Sequence, residues 1–241
     1  MSGFGSIDQR PKRFYKHANA VETDKGWSVE LDGRAIRTPE KSMLSMTSRG
    51  VAELIATEWN TQGELLDIAN MHVTRLANVA FDRTPKVRLE MIEEVVRYAE
   101  TDLVCHLADT PEELLQRQEA SWGPLRDWAG ETLGIVLLPV QGVLASRQPD
   151  ASLDAVRTHA QALDDWRLTG LNYGLGLTGS AVIALAMEQN HIDADQAFAA
   201  SRIDEVFQSE RWGEDEEAEE AAARRLVELL ALDAFFLALN S

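Results

Sequence analysis

The sequence predicts an α+β protein: a small N-terminal antiparallel β domain followed by a larger α-helical domain. Three observations carry that prediction. Residues 14–46 alternate apolar and polar side chains between turn signals, whereas after Thr47 apolar residues recur at three- and four-residue intervals. The charge also changes along the chain, with a net +1 over residues 1–60 and −18 over residues 61–241. The boundary is placed at 68/69, so that residues 1–68 form a β-rich domain with one helix and residues 69–241 the helical domain.

In the first region Phe14-Tyr15-Lys16-His17-Ala18 leads as a strand into a turn at Asp24-Lys25-Gly26. Trp27 to Leu31 alternates cleanly, and Asp32-Gly33 is a hairpin turn signal before Ala35-Ile36-Arg37-Thr38. Met43 to Met46 reads as one more short strand. A first helix follows behind Thr47 and Ser48 as capping candidates, with Val51, Leu54, Ile55 and Trp59 on one face. A second covers Thr74 to Phe81.

Thr84-Pro85 opens a third helix, with Thr84 as N-cap and Pro85 at the first helical position. Leu89, Ile92, Val96, Ala99 and Leu103 form its inward stripe, while Arg88, Glu90, Glu93, Glu94 and Arg97 face water; Glu93 and Arg97 have the favourable i,i+4 order. Thr110-Pro111-Glu112-Glu113 predicts a capping box, opening a helix that carries Leu114, Leu115, Trp122, Leu125 and Trp128. Gly134 to Val143 reads as a loop or short strand. Helices are expected over Leu153–Trp166, Leu171–Met187, Asp195–Phe207 and Glu217–Leu239, with a capping box at Asp193 and Gln196.

Composition excludes several functions. With 23 basic against 40 acidic residues the net charge is −17, a field that repels nucleic acid and anionic lipid. The single Cys105 rules out an intramolecular disulfide framework and Cys-based zinc sites, and reads as a small core hydrophobe. No apolar run approaches the roughly 18 residues of a membrane helix. Met1 to Lys16 has no segment of signal-peptide type, so the expected address is a reducing cytoplasm. His17, His72, His106, His159 and His191 lack paired metal-ligand spacing, and no metal or cofactor is expected.

Gly174-Leu175-Gly176-Leu177-Thr178-Gly179 formally matches the dinucleotide fingerprint, with Asp195 near the position of its acid. That motif needs a preceding strand, yet Ala162 to Tyr173 reads as helix, so close helix packing explains the glycines better. A nucleotide-binding enzyme remains the alternative that this run supports, and a general acidic protein-binding scaffold is another. The densest acidic segment runs from Glu210 to Glu220, with seven carboxylates around Trp212. Composition slightly favours a solvated first turn of the last helix, with Leu226, Leu229, Leu230, Phe236 and Leu237 then packing inward. The functional reading is a Trp anchor beside a negative patch that meets a basic partner.

Several stretches together resemble the assembly-chaperone family that binds the free α subunit of the F₁ sector of ATP synthase. They are Arg13-Phe14-Tyr15-Lys16 with Leu31-Asp32-Gly33-Arg34 and Thr38-Pro39; Glu58-Trp59-Asn60-Thr61-Gln62; Met71 to Asp82; and Tyr98 to Leu103. Ser201-Arg202-Ile203-Asp204-Glu205, leading to Gln208, Trp212 and Gly213, completes the set. The resemblance departs at His72, where the family usually has Pro. It implies a β-rich domain joined to a helical one and a non-enzymatic role, holding the α subunit until β subunits replace it. The family's functional acid after W-G-x-x falls on Glu216, with Glu214, Asp215, Glu217, Trp212 and Glu210 beside it. Eukaryotic relatives work in the mitochondrial matrix; a monomeric, bacterial cytoplasmic protein is expected here.

Overall fold

The computed structural model describes residues 10–142, 147–213 and 215–241. Glu214, one of the predicted partner-binding residues, lies outside the described residues, as does Val143 at the end of the predicted loop.

A three-stranded antiparallel sheet, in the order β1 (Ala18–Thr23), β2 (Gly26–Leu31), β3 (Arg34–Ala35), opens the fold. Asp32 (φ 48°) and Gly33 (φ 82°) both take positive φ, the mirror-image turn that matches strand twist. The Asp32 carboxylate also accepts from the amides of His17 and Lys16, bonds that lower its pKa. These bonds place the Phe14–His17 stretch outside the sheet, so the first strand begins only at Ala18, later than expected. Met43 and Met46 make isolated bridges to Arg37 and Trp27 instead of a full strand. At Gly26 (φ 105°) any Cβ would sit 2.5 Å from the Met46 carbonyl oxygen, so the chain needs glycine there.

Helix α1 (Arg49–Asn60) covers the sheet with Val51, Ala52, Ile55 and Ala56 against Ala18, Val29 and Leu31. Of the two capping candidates Ser48 does the work: its Oγ accepts from Val51 N (3.0 Å) and donates to Ala238 O (2.5 Å) near the end of the last helix. The last turn of α1 and the residues just after it consist of connectors. Glu58 caps α2 (His72–Asp82), accepting from Val73 N, Thr74 N and Thr74 Oγ1, each at 2.7 Å. The Asn60 amide pairs with both backbone groups of Ala18, and Gln62 Oε1 accepts from Asp67 N.

The helical part is built around α6 (Asp165–Thr178) and α7 (Ala181–Glu188). All eight residues of α7 are buried. Around them lie α3 (Thr84–Glu100), α4 (Glu112–Leu133), α5 (Asp150–Ala162), α8 (Ala194–Ser201), α9 (Ile203–Trp212) and α10 (Glu216–Ala238). A two-residue parallel pair, β4 (His106–Leu107) with β5 (Val140–Gln141), braces α4. Buried apolar side chains form one cluster reaching from Tyr15 to Ala238.

Local expectations fail where a tertiary partner outbids the local one. Arg83 is already helical, so Thr84 lies inside α3; its buried hydroxyl meets Thr169 Oγ1 at 2.6 Å and Val79 O of α2 at 3.2 Å, and α3 has no side-chain N-cap bond. Pro111 is extended and forms the start of α4, displacing Thr110, while Glu113 turns to Arg117 and Arg211. Leu89 is exposed, Leu103 lies beyond the helix, Arg88 bonds Asp165, and Glu93 pairs with Arg157 rather than Arg97. Three long predicted helices are each broken in two. Asp164 caps α6, Ser180 caps α7 after Gly179 (φ 70°), and Arg202 (φ −127°, ψ 19°) separates α8 from α9. The Asp193–Gln196 capping box forms as expected.

Candidate functional site

Helices α9 and α10 meet at a corner turned by Gly213 (φ 96°, ψ 161°), whose N–H returns to Ser209 O. Asp215 is the N-cap of α10 and accepts from Glu217 N at 3.0 Å; Glu216, Glu217 and Glu219 occupy the first turn. There the orphan amides and the helix dipole favour negative charge. Asp215, Glu216 and Glu217 are therefore neighbouring exposed carboxylates at one helix end. Trp212 stands beside them with 79% of its surface exposed.

Glu210 lies elsewhere. Its carboxylate accepts from Arg117 Nη1 at 2.7 Å, and Arg117 and Arg211 both reach Glu113 while lying over the Phe207 ring. The two arginines hold the Glu113 carboxyl below its ordinary range, and Glu210 raises the Arg117 pKa. Glu210 thus ties α9 to α4, and of the predicted cluster only Trp212, Asp215, Glu216 and Glu217 come together.

A groove of about 610 Å³ opens between α9 and α10 under Trp212. Phe198, Val206, Ala218, Ala222 and Leu226 line it, with Glu205, Asp215 and Glu219 among the lining residues. Sequence reasoning missed this groove by assigning Leu226, Leu230 and Leu237 inward. Leu229 and Phe236 are fully buried, but Leu230 is 47% and Leu237 53% exposed. The signal was there: residues 223, 226, 230, 234 and 237 follow helical spacing on a face different from that of Leu229, Leu232 and Phe236.

The glycine-rich run is not a phosphate loop. Gly174 and Gly176 lie inside α6, no strand precedes them, and Gly179 ends the helix with its N–H on Leu175 O. A Cβ at Gly174 would meet Ala184 and Leu232 at 3.2 and 3.3 Å, which is the close packing of α6 on α7 and α10. Cys105 is buried, and burial pushes its thiol up to about 12. His159 bonds Glu188 and His191 stacks on Trp128. Among the described residues no group of His, Cys, Asp and Glu is arranged to hold a metal ion, and no helix is long and apolar enough to cross a membrane.

Residues 12–130 match the profile of the ATP12 chaperone protein family. The whole fold is similar to the crystal structure of Atp12 from Paracoccus denitrificans, with 37% identity, a TM-score of 0.88, and 94% of this chain and 97% of that one covered. This chain belongs to the ATP12 chaperone family. An aspartate-to-lysine mutant of the P. denitrificans protein gives a TM-score of 0.89 at the same identity, over 95% of this chain and 97% of that one. Protein atp12, mitochondrial, of Schizosaccharomyces pombe is 23% identical over 235 residues, covering 92% of this chain and 81% of its own. The family profile ends within α4. The α9–α10 corner is reached only by the full-length matches, whereas Glu58, Asn60 and Gln62 fall within the profile and serve the fold.

Proposed function

We propose that this chain is an assembly chaperone of ATP synthase that holds the unassembled α subunit of the catalytic sector until β subunits displace it, without catalysing a reaction. Membership of the ATP12 chaperone family, across nearly the whole chain, is the observation that carries this reading. The contact we assign is the α9–α10 corner, with Glu216 as its central charge, Asp215 and Glu217 flanking it, and Trp212 as the apolar anchor. An unpartnered ring subunit exposes interface that aggregates by the same burial that builds the ring. A clamp made of one aromatic and several solvated carboxylates covers such a surface yet releases it, since its attraction is screened over about 8 Å at physiological salt. The nearer likeness to the P. denitrificans protein than to the yeast one makes a bacterial cytoplasm the compartment we propose.

Co-expression with the α subunit tests this. The wild-type chain is expected to keep α in the soluble fraction. Glu216→Lys, at an exposed position, should lower the chaperone's own stability by less than about 1 kcal/mol, the range of a helix-end charge effect, while α moves to the pellet. Undiminished α solubility with Glu216→Lys would remove the site assignment; loss of capture by a Gly176→Val variant together with nucleotide binding by the wild type would replace the chaperone reading with the enzyme one.

A further inference from the structure

The exposed face of α10 extends the groove along the molecule. Leu226, Val227, Leu230 and Leu237 lie on one side of the helix; Val227 is 54%, Leu230 47% and Leu237 53% exposed. Ala223 and Ala234 sit between them on the same face. From Ala223 to Leu237 the stripe runs about 21 Å at 1.5 Å per residue. At its upper end it enters the groove under Trp212, beside Asp215 and Glu219. The opposite face of α10 does the core packing, through Leu229, Leu232, Phe235 and Phe236.

We propose that this stripe is a docking track for one amphipathic helix of the client, laid along α10 with its apolar face on Leu226, Leu230 and Leu237 and with lysines or arginines at the end that meets Asp215 and Glu219. Three features select that occupant. The three- and four-residue spacing with alanines between the larger side chains lets a second helix approach to the 8–10 Å of ordinary helix packing. The charge is uneven: carboxylates are densest at the α10 N-terminal end of the track, where Asp215, Glu216, Glu217 and Glu219 outnumber the groove's one cation, Arg202, while Asp233 is the lone acid of α10 beside its far half, so a cationic end favours one direction of the incoming helix. A second copy of this chain fits poorly, because each carries a net charge of −17 and would bring more acid to an acidic surface. This inference rests on the chaperone reading for the client's role, though not for the chemistry of the track.

The test uses the full chain and two probes. The first is a synthetic amphipathic helix of about 18 residues, with leucines at three- and four-residue spacing and lysines at one end, beside an analogue carrying glutamates instead. The lysine peptide should bind, weaken as salt is raised, and lose at least about tenfold in affinity in Leu230→Glu and separately in Leu237→Glu; both variants should keep the wild-type thermal transition. Equal binding by the glutamate peptide, unchanged affinity in both variants, or a dimer that the same substitutions dissociate in sedimentation would each overturn the track. The second probe is the co-expressed α subunit. If both variants keep α soluble as well as wild type does, the track falls and the chaperone reading stands. If wild type fails to hold α while the peptide still binds at Leu230, the chaperone reading falls and the track stands.

Discussion

Asp102 is fully buried, with its carboxylate accepting from Ser180 Oγ (2.5 Å), Val182 N (3.0 Å) and Val104 N (3.2 Å). It thereby caps α7 and the turn over Leu103–Cys105 together. Burial outweighs those bonds and raises its pKa to about 6. Because the folded value lies above the unfolded one, the native state holds the extra proton between roughly pH 4 and 6. Its contribution to stability is complete below that window and declines through it, by on the order of 3 kcal/mol. Asp102→Asn should flatten this part of the stability–pH curve in urea titrations, and an unchanged slope would count against the assignment. Glu188 acts with the opposite sign. Burial works to raise its carboxyl, but hydrogen bonds from His159, Gln189 and Arg167 prevail and hold it low. Its contribution is present above the ordinary carboxylate range and is lost as acid is added. Neither residue announced this in the sequence, since Asp102 becomes a core cap through a helix end some eighty residues on, and Glu188 meets His159 and Arg167 from 29 and 21 residues before it.

Among the elements, α6 shows two kinds of glycine. A Cβ at Gly170 would lie 2.6 Å from the Phe236 ring, whereas one at Gly176 would touch nothing within 4 Å. Gly170→Ala should therefore destabilise by about 1–3 kcal/mol through overpacking, while Gly176→Ala should stabilise by about 0.5–1 kcal/mol through helix propensity and a less flexible unfolded chain. Thermal unfolding of the two variants checks both signs. The elements were largely legible: the hairpin at Asp32-Gly33, the cap at Asp193 and the helical periods depend on neighbours within four residues. The breaks at Asp164, Ser180 and Arg202 were not, because apolar spacing continues across them and only tertiary packing separates the segments: α5 and α6 each lie on α3, α6 turns back on α7, and α8 and α9 part towards α10 and α4. The exposed stripe on α10 is hidden in the sequence too. A helix apolar on two faces gives no sequence signal for which face the protein keeps inside, and the Glu210 carboxylate could not be told from its neighbours without Arg117 in view.

For the molecule as a whole, one buried cluster spans the sheet, α1 and the helical part, and Ser48 joins α1 to the end of α10. Unfolding is expected in one cooperative transition, with fluorescence of Trp27 and Trp59 near the sheet coinciding with the far-ultraviolet signal of the helices. Two separated transitions would mean that the sheet and α1 hold together alone. Ser48→Ala, which removes both a cap and the tie, should cost about 1–2 kcal/mol without splitting that transition; the midpoint in urea measures it.

The bond from Ser48 to Ala238 also bears on synthesis. Ala238 leaves the ribosome 190 positions after Ser48, and Phe236 some 66 positions after Gly170, and until they emerge Gly170 and Ser48 face a void where their partners belong. A nascent chain of this protein must therefore guard its own unfinished interior before it can guard anything else, and its earliest competent moment comes only after release of that last segment.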